Sequence, residues 1–194
     1  MTKNLSCLFL IALMALLSAC GSTPRSTYYK LTADAAAVTG NTGPSIGVGP
    51  IQTPDYLNNR EMVINESAHR LTLRDFDRWA EPLDSGIGRI VAVNLSGLLE
   101  TQRVRVFPWR RDAVPELAVR ISVVMLSAQD SEARLVAEWT LTNPQQSKTL
   151  EQRITQYRAS IPDTEPETIA KAYSTLLLEL SEDISAAIEG HHEG

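Results

Sequence analysis

The chain has 194 residues, a formal net charge of −5 and a hydrophobic content of 43%. This acidic balance argues against nucleic acid as a partner, because binding to phosphates depends on an excess of Lys and Arg. The length suits one domain that buries enough surface to fold without disulfides or a structural metal.

The first residues have the three-part layout of a bacterial signal peptide. Lys3 lies in a short polar start, and a mostly apolar run extends from Leu5 to Leu17. That run is too short for a stable transmembrane helix. It closes on Leu17-Ser18-Ala19-Cys20, the pattern of a lipobox, in which small residues precede the cysteine whose thiol receives a diacylglyceryl group.

We therefore predict that residues 1–19 are removed and that Cys20 carries S-diacylglycerol and an N-acyl chain, followed by a tether over residues 20–27. More than one acyl chain is needed for stable anchoring. Gly21 stands where Asp would favour the inner membrane, so the outer membrane is favoured. Cys7 leaves with the signal, so the mature chain has no free thiol. An ordinary secretory signal or an uncleaved anchor is the alternative.

The rest of the chain is predicted as strands interrupted by two helices. Short strands are expected at 28–31, 45–48, 61–64, 70–73 and 104–107, with Gly49-Pro50 breaking the second. Longer alternating strands are expected at 116–126, 135–141 and 149–157. In the first of these, the face predicted to be apolar comprises Leu117, Val119, Ile121, Val123 and Met125.

Two amphipathic helices are predicted from their starts and apolar stripes. Pro82 suits a first helical turn, and apolar residues at helical spacing continue to Leu99. Residues 164–167 form a capping-box pattern that opens a second helix, which Gly190 is expected to end before a disordered tail at 190–194. This order predicts a single α+β domain over residues 28–189, with a mostly antiparallel sheet and two helices packed on it.

Motifs for catalysis or metal binding are absent from the sequence. It contains no nucleophile elbow, zinc-binding helix motif or phosphate-binding loop. His69 is expected to be a surface or hydrogen-bonded residue, and the expected tail at His191 and His192 lacks the fixed geometry of a metal site. The pair Asp75 and Asp77 is expected to be solvated. We therefore expect a protein that is not an enzyme, uses no cofactor and acts through its surfaces.

Three segments are candidates for a protein contact, because aromatic residues and Arg often anchor interfaces. The segment Gly47–Leu57 ends in apolar residues. The segment 78–83 contains a Trp flanked by Arg78 and Glu81, which could form an ion pair. The segment 109–111 is basic and aromatic. A scaffold role is favoured for the first two, and a solvated loop explains the third equally well. Burial would indicate scaffold, and exposure would indicate interface. The candidate residues are Tyr56, Leu57, Trp79, Trp109, Arg110 and Arg111.

Taken together, four features resemble the ABC-type transport auxiliary lipoprotein family, in order along essentially the whole chain. They are the lipobox, Tyr28-Tyr29-Lys30-Leu31, the block from Ile46 to Leu57, and Arg78-Trp79-Ala80-Glu81-Pro82-Leu83, whose Trp-Ala-Glu-Pro-Leu run is the most specific. The resemblance brings no catalytic residues. It implies a lipoprotein on the inner face of the outer membrane that works with MCE-domain proteins, which form a periplasm-spanning conduit for lipids.

The expected role is thus an adaptor that docks such a conduit to the outer membrane, with phospholipid as a further candidate partner. A ring of MCE domains is most simply met by a matching ring, so we expect a homo-oligomer with its contacts at Gly47–Leu57 or Trp109–Arg111. The alternatives are a plug or chaperone of another outer-membrane assembly machine, a soluble lipid-binding module, and a lipid-handling enzyme.

Overall fold

The computed structural model describes residues 24–34, 38, 43–110 and 112–192. These residues form eight strands, two α-helices and a 3₁₀ turn at Asp55–Leu57. In chain order the strands and helices are β1 (Thr27–Tyr29), β2 (Ile46–Gln52), β3 (Glu61–Ser67), β4 (Arg70–Trp79), α1 (Leu83–Leu98), β5 (Val104–Val106), β6 (Leu117–Gln129), β7 (Glu132–Asn143), β8 (Lys148–Ser160) and α2 (Pro166–His192).

The strands form two mixed sheets, which confirms the α+β class but differs from the one sheet expected. The larger sheet has the order β5-β2-β6-β7-β8, in which β2 is parallel to β5 and β6 while β6, β7 and β8 are antiparallel. The smaller sheet has the order β1-β4-β3, in which a short β1 runs parallel to one strand of the β3–β4 hairpin.

Both helices pack against the larger sheet and against each other. Helix α1 contacts β2 and β5, whereas α2 contacts β6, β7 and β8. The apolar stripe predicted for α2 is fully buried, as shown by Leu176, Leu177 and Leu180. A continuous core therefore lies between the helical layer and one face of the five-stranded sheet.

A bulge in β6 changes which of its residues face the core. Val123 pairs with Ala137, but Met125 pairs with Val136, so one extra residue stands in β6 at this point. Side chains alternate with period two, and the extra residue reverses that alternation. Leu126 is therefore buried, and the prediction that Met125 continues the core face is wrong.

Two predicted boundaries are also wrong. Strand β2 continues through Gly49 and Pro50 to Gln52, because Gly49 adopts a φ of 112° and the register with β6 shifts there. Helix α2 begins at Pro166, and the N–H of Glu165 donates to Asp163 Oδ1 at 3.0 Å. The helix then passes through Gly190 to His192, since a glycine weakens a helix without having to end it.

Candidate functional surfaces

The predicted lipidation residue Cys20, the sorting residue Gly21 and Arg111 lie outside the described residues. The tether joins the fold at β1, where Thr27 pairs with Asp77 of β4. Acylation, sorting and the contribution of Arg111 therefore stay predictions.

Trp79 and Leu57 belong to the core. Trp79 is 4% exposed and stacks on Tyr173 of α2, with 6.2 Å between ring centroids and 22° between planes. Leu57, at the end of the 3₁₀ turn, is equally buried. By the burial criterion, the structure removes both from the candidate contact residues, because an aromatic or aliphatic side chain inside the core cannot meet a partner.

The polar residues beside Trp79 make different pairs from the one expected. Arg78 forms an ion pair with Glu61 of β3 at 3.0 Å, since the two residues are opposite each other in the small sheet. Glu81 instead receives a hydrogen bond from Arg89 Nε at 3.1 Å. Arg89 also donates to the carbonyl of Leu31 at 3.4 Å, so this block fastens α1 to the segment after β1.

Tyr56 is half-buried and lies at the edge of the core. Burial, together with the nearby Tyr56, raises the pKa of Tyr173 above its usual range. Tyr56 also borders an apolar cavity of about 490 Å³ beside the β3–β4 hairpin. Other residues that line this cavity include Leu71, Val124, Met125 and Val136.

The fold brings Gly47 and Trp109 into contact, although about sixty residues separate them. A Cβ added to Gly47 would lie 2.7 Å from Cζ3 of Trp109, so the indole lies directly against the glycine backbone. Phe107 meets Trp109 edge-to-face, with centroids 5.2 Å apart and planes at 88°. Gly47 is thus needed for a close approach that fixes the aromatic pair.

A groove of about 300 Å³ lies beside this aromatic pair. We call it the Pro50 groove. It lies between the bulged part of β2, the first turns of α1 and the end of β5, where Phe107 is 47% exposed. Its lining residues are Val48, Gly49, Pro50, Ile51, Asp84, Ser85, Gly88, Val106 and Phe107.

Arg110 extends from the same loop into solvent. Its guanidinium donates to both carboxylate oxygens of Asp112 at 2.9 Å, and this contact lowers the pKa of Asp112. Such an exposed pair adds little to stability. The planar guanidinium is therefore exposed in the loop that follows Phe107, where a partner could compete with Asp112 for it.

The titratable residues singled out from the sequence make structural contacts or lie in solvent. Asp77 lies in β4 and accepts a hydrogen bond from the Tyr29 hydroxyl at 3.1 Å. His69 is exposed in the β3–β4 turn, and His191 Nε2 lies 3.3 Å from Glu151 Oε2. Within the described ranges, no group of three or more His, Cys, Asp or Glu residues is placed to hold a metal ion.

A second surface was missed from the sequence. It lies on the smaller sheet, where large apolar side chains are 42–58% exposed. The alternation of Leu71 and Leu73 with polar residues predicted a strand, but alternation alone does not show which face is covered. The residues of this surface are Tyr28, Leu71, Leu73 and Phe76, and we call it the small-sheet patch.

The fold is shared with solved structures. An uncharacterised protein of known crystal structure is 20% identical, with a TM-score of 0.70 over 85% of this chain and 99% of that one. A protein from Xanthomonas campestris is 14% identical, with a TM-score of 0.69 over 87% and 98% of the two chains. At these identities the likeness shows a common α+β fold. No curated protein is significantly similar in sequence.

The class of the protein follows from a family model described as the ABC-type transport auxiliary lipoprotein component, which matches residues 29–185. The chain belongs to this family. In the part of the chain that the structure describes, no helix combines the length and apolarity needed to cross a membrane.

Proposed function

We propose that this chain is a non-enzymatic auxiliary subunit of an MCE-type intermembrane lipid transport system, held on the periplasmic face of the outer membrane by the lipids on Cys20. The observation that carries the proposal is the family match over residues 29–185, which begins shortly after the lipobox. Its task is to dock the periplasmic conduit of MCE-domain proteins to that membrane.

The Pro50 groove is the docking surface in this proposal. Its walls belong to a strand, a helix and a second strand, so its shape is set by the core. Phe107 supplies an exposed aromatic side chain that packs on Trp109, and Arg110 supplies an exposed guanidinium in the loop that follows. Aromatic and Arg residues on rigid supports are the usual anchors of protein interfaces.

The experiment is capture of the purified MCE-domain partner by the lipoprotein carrying Phe107→Ala and Arg110→Ala. Two anchor residues contribute about 2 kcal/mol or more, so binding should weaken by roughly 30-fold or more. The matched control is Val93→Ala with Arg120→Ala, which removes an exposed apolar residue and an exposed Arg elsewhere. Unchanged capture by the Phe107 and Arg110 variant would contradict the docking surface.

Anchoring is tested separately by fractionating cell envelopes. Cys20→Ala should leave the protein unacylated and mislocalised, because no other thiol of the mature chain can accept lipid. Gly21→Asp should move it toward the inner membrane. Recovery of Cys20→Ala in the outer membrane would contradict the lipid anchor, and an unchanged distribution of Gly21→Asp would contradict the sorting argument.

Homo-oligomerisation is the remaining part of the proposal. A subunit that meets a ring of MCE domains is expected to form a closed ring itself. Sedimentation of the mature protein should show a species several times the monomer mass. A monomer at high concentration would contradict the ring while leaving capture of the MCE partner as an independent result.

A further inference from the structure

The small-sheet patch occupies one face of the β1-β4-β3 sheet. Val63 pairs with Leu73, Glu61 pairs with Arg78, and Tyr28 also pairs with Arg78. Directly paired residues point to the same side of a sheet. Between Arg74 and Arg78 the register with β3 shifts, so the alternation reverses and Phe76 joins the face that carries Leu73.

The opposite face of this sheet is already covered. Met62 and Ile64 of β3 and Trp79 of β4 are buried in the core. The core of this sheet is thus supplied by its other face. The apolar residues of the small-sheet patch lie on the face that points away from the core. Among the residues that the structure describes, no second layer covers this face, and its four apolar side chains are all more than 40% exposed.

The tether begins next to this patch, at the edge strand β1. Tyr28 follows Thr27 directly, and Phe76 precedes Asp77, the partner of Thr27 in the β1–β4 ladder. Cys20 precedes Thr27 by seven residues. An extended chain spans at most about 3.6 Å per residue, so the acylated sulfur lies within roughly 25 Å of the patch.

The charge around the patch also differs from that of the whole chain. Residues 24–31 and 60–79 carry six Lys or Arg and four Asp or Glu, whereas the chain as a whole has a net charge of −5. These segments thus carry a local excess of two positive charges, although Arg70 and Arg78 are paired with Glu66 and Glu61. Aromatic and aliphatic side chains in a locally cationic region suit a bilayer surface, where rings lie at headgroup depth and cations meet anionic lipids.

We propose that the small-sheet patch lies against the bilayer that holds the lipid anchor, so that the lipoprotein rests on the membrane by this face. The proposal depends on the proposed acylation of Cys20. It adds to the proposed function the orientation of the domain on the membrane. The Pro50 groove belongs to the larger sheet and stays open to a protein partner in this orientation.

The experiment uses single cysteines, which is feasible because Cys20 is acylated and Cys7 is removed with the signal. Leu73→Cys and Phe76→Cys are labelled with a polarity-sensitive fluorophore in the full lipoprotein. Val93→Cys on α1 is the matched control, since Val93 is 46% exposed and Leu73 is 48% exposed. Each protein is reconstituted at low density into phosphatidylethanolamine–phosphatidylglycerol vesicles with brominated acyl chains and recovered by flotation.

The labels at residues 73 and 76 should be blue-shifted, quenched by the brominated lipid and several-fold less accessible to aqueous iodide than the label at 93. Equal iodide quenching at all three positions would overturn the proposal. Protection from iodide without quenching by brominated lipid would also overturn it, because a protein, such as a second copy, would then cover the patch. Failure to float would refute the anchor itself, which separates the two hypotheses.

Discussion

The two sheets differ in how their apolar faces are covered. The five-stranded sheet has α1 and α2 on one face, and the alternating residues of β7 from Ala133 to Leu141 are completely buried there. The three-stranded sheet buries the face next to the core and leaves Leu71, Leu73 and Phe76 about half exposed. The same alternating pattern thus stabilises the fold in one sheet and remains available for contact in the other.

The largest expected difference between the two regions concerns truncation of a leucine. Leu177→Ala should lower the free energy of unfolding by about 2–5 kcal/mol, because it leaves a cavity between α2 and the larger sheet. Leu73→Ala should change it by no more than about 0.5 kcal/mol, since Leu73 is exposed. Urea melts of both variants measure this difference, and equal losses would show that the small-sheet patch is also core.

A smaller effect is expected from adding a methyl group beside Trp109. Gly47→Ala should lower the free energy of unfolding by about 1–3 kcal/mol, because the new Cβ would overlap the Trp109 indole and Pro115. Displaced Trp109 should also become more accessible to iodide, whereas Trp79 and Trp139 are buried.

Gly190→Ala is the control for this substitution. A Cβ at Gly190 meets nothing within 4 Å, so alanine should stabilise α2 by up to about 1 kcal/mol. Wild-type stability and unchanged iodide quenching in Gly47→Ala would disprove the close approach of the indole to the β2 backbone.

The last expected loss of stability concerns one hydrogen bond between the larger sheet and α2. The Tyr157 hydroxyl donates to Asp183 Oδ2 at 2.5 Å. Burial, and next the bond to Asp183, raise the pKa of Tyr157 above its usual range. Tyr157→Phe should therefore lower the free energy of unfolding by about 1.5 kcal/mol near pH 8. This figure is the lower end of the range for hydrogen bonds to charged groups, because the Asp183 carboxylate is partly solvated.

The pH dependence of this variant has a defined sign. The pKa of Tyr157 is higher in the folded protein than in the unfolded chain, where it is about 10. The hydroxyl therefore contributes its full stabilisation below pH 10, and this contribution is lost as the pH rises toward the pKa of the folded protein. The stability difference between wild type and Tyr157→Phe should therefore narrow above pH 10. A difference that stays constant to pH 11.5 would contradict the contribution of this hydroxyl.

Much of the larger sheet was predictable from sequence, and the smaller sheet much less. Strands β6 to β8 and helix α2 carry long periodic patterns, so their type and approximate position follow from periodicity. Strand β4 reaches from Arg70 to Trp79, but its irregular register interrupts the alternation, and only 70–73 was predicted. Bulges in β2 and β6 likewise depend on pairing with neighbours, which no local pattern contains.

The candidate surfaces show the same limit. Trp79 and Trp109 are equally prominent in the sequence, yet one stacks in the core and the other lies half-exposed against Gly47. The decisive contacts, with Tyr173 and Gly47, come from residues 94 and 62 positions away. The aromatic character of these residues therefore identified both as structurally important from the sequence. Long-range packing determined which of the two is exposed and can meet a partner.

The short strand β1 also determines how force on the lipid anchor enters the domain. Its parallel ladder with β4 is loaded in shear by a pull along the tether, so its hydrogen bonds share the load. Beyond it, buried Leu31 and the bond from the Thr32 N–H to Ser174 Oγ, at 3.1 Å, continue the load path into α2. A transport complex that strains against its membrane would thus pull on the longest helix of the fold and not on an isolated edge.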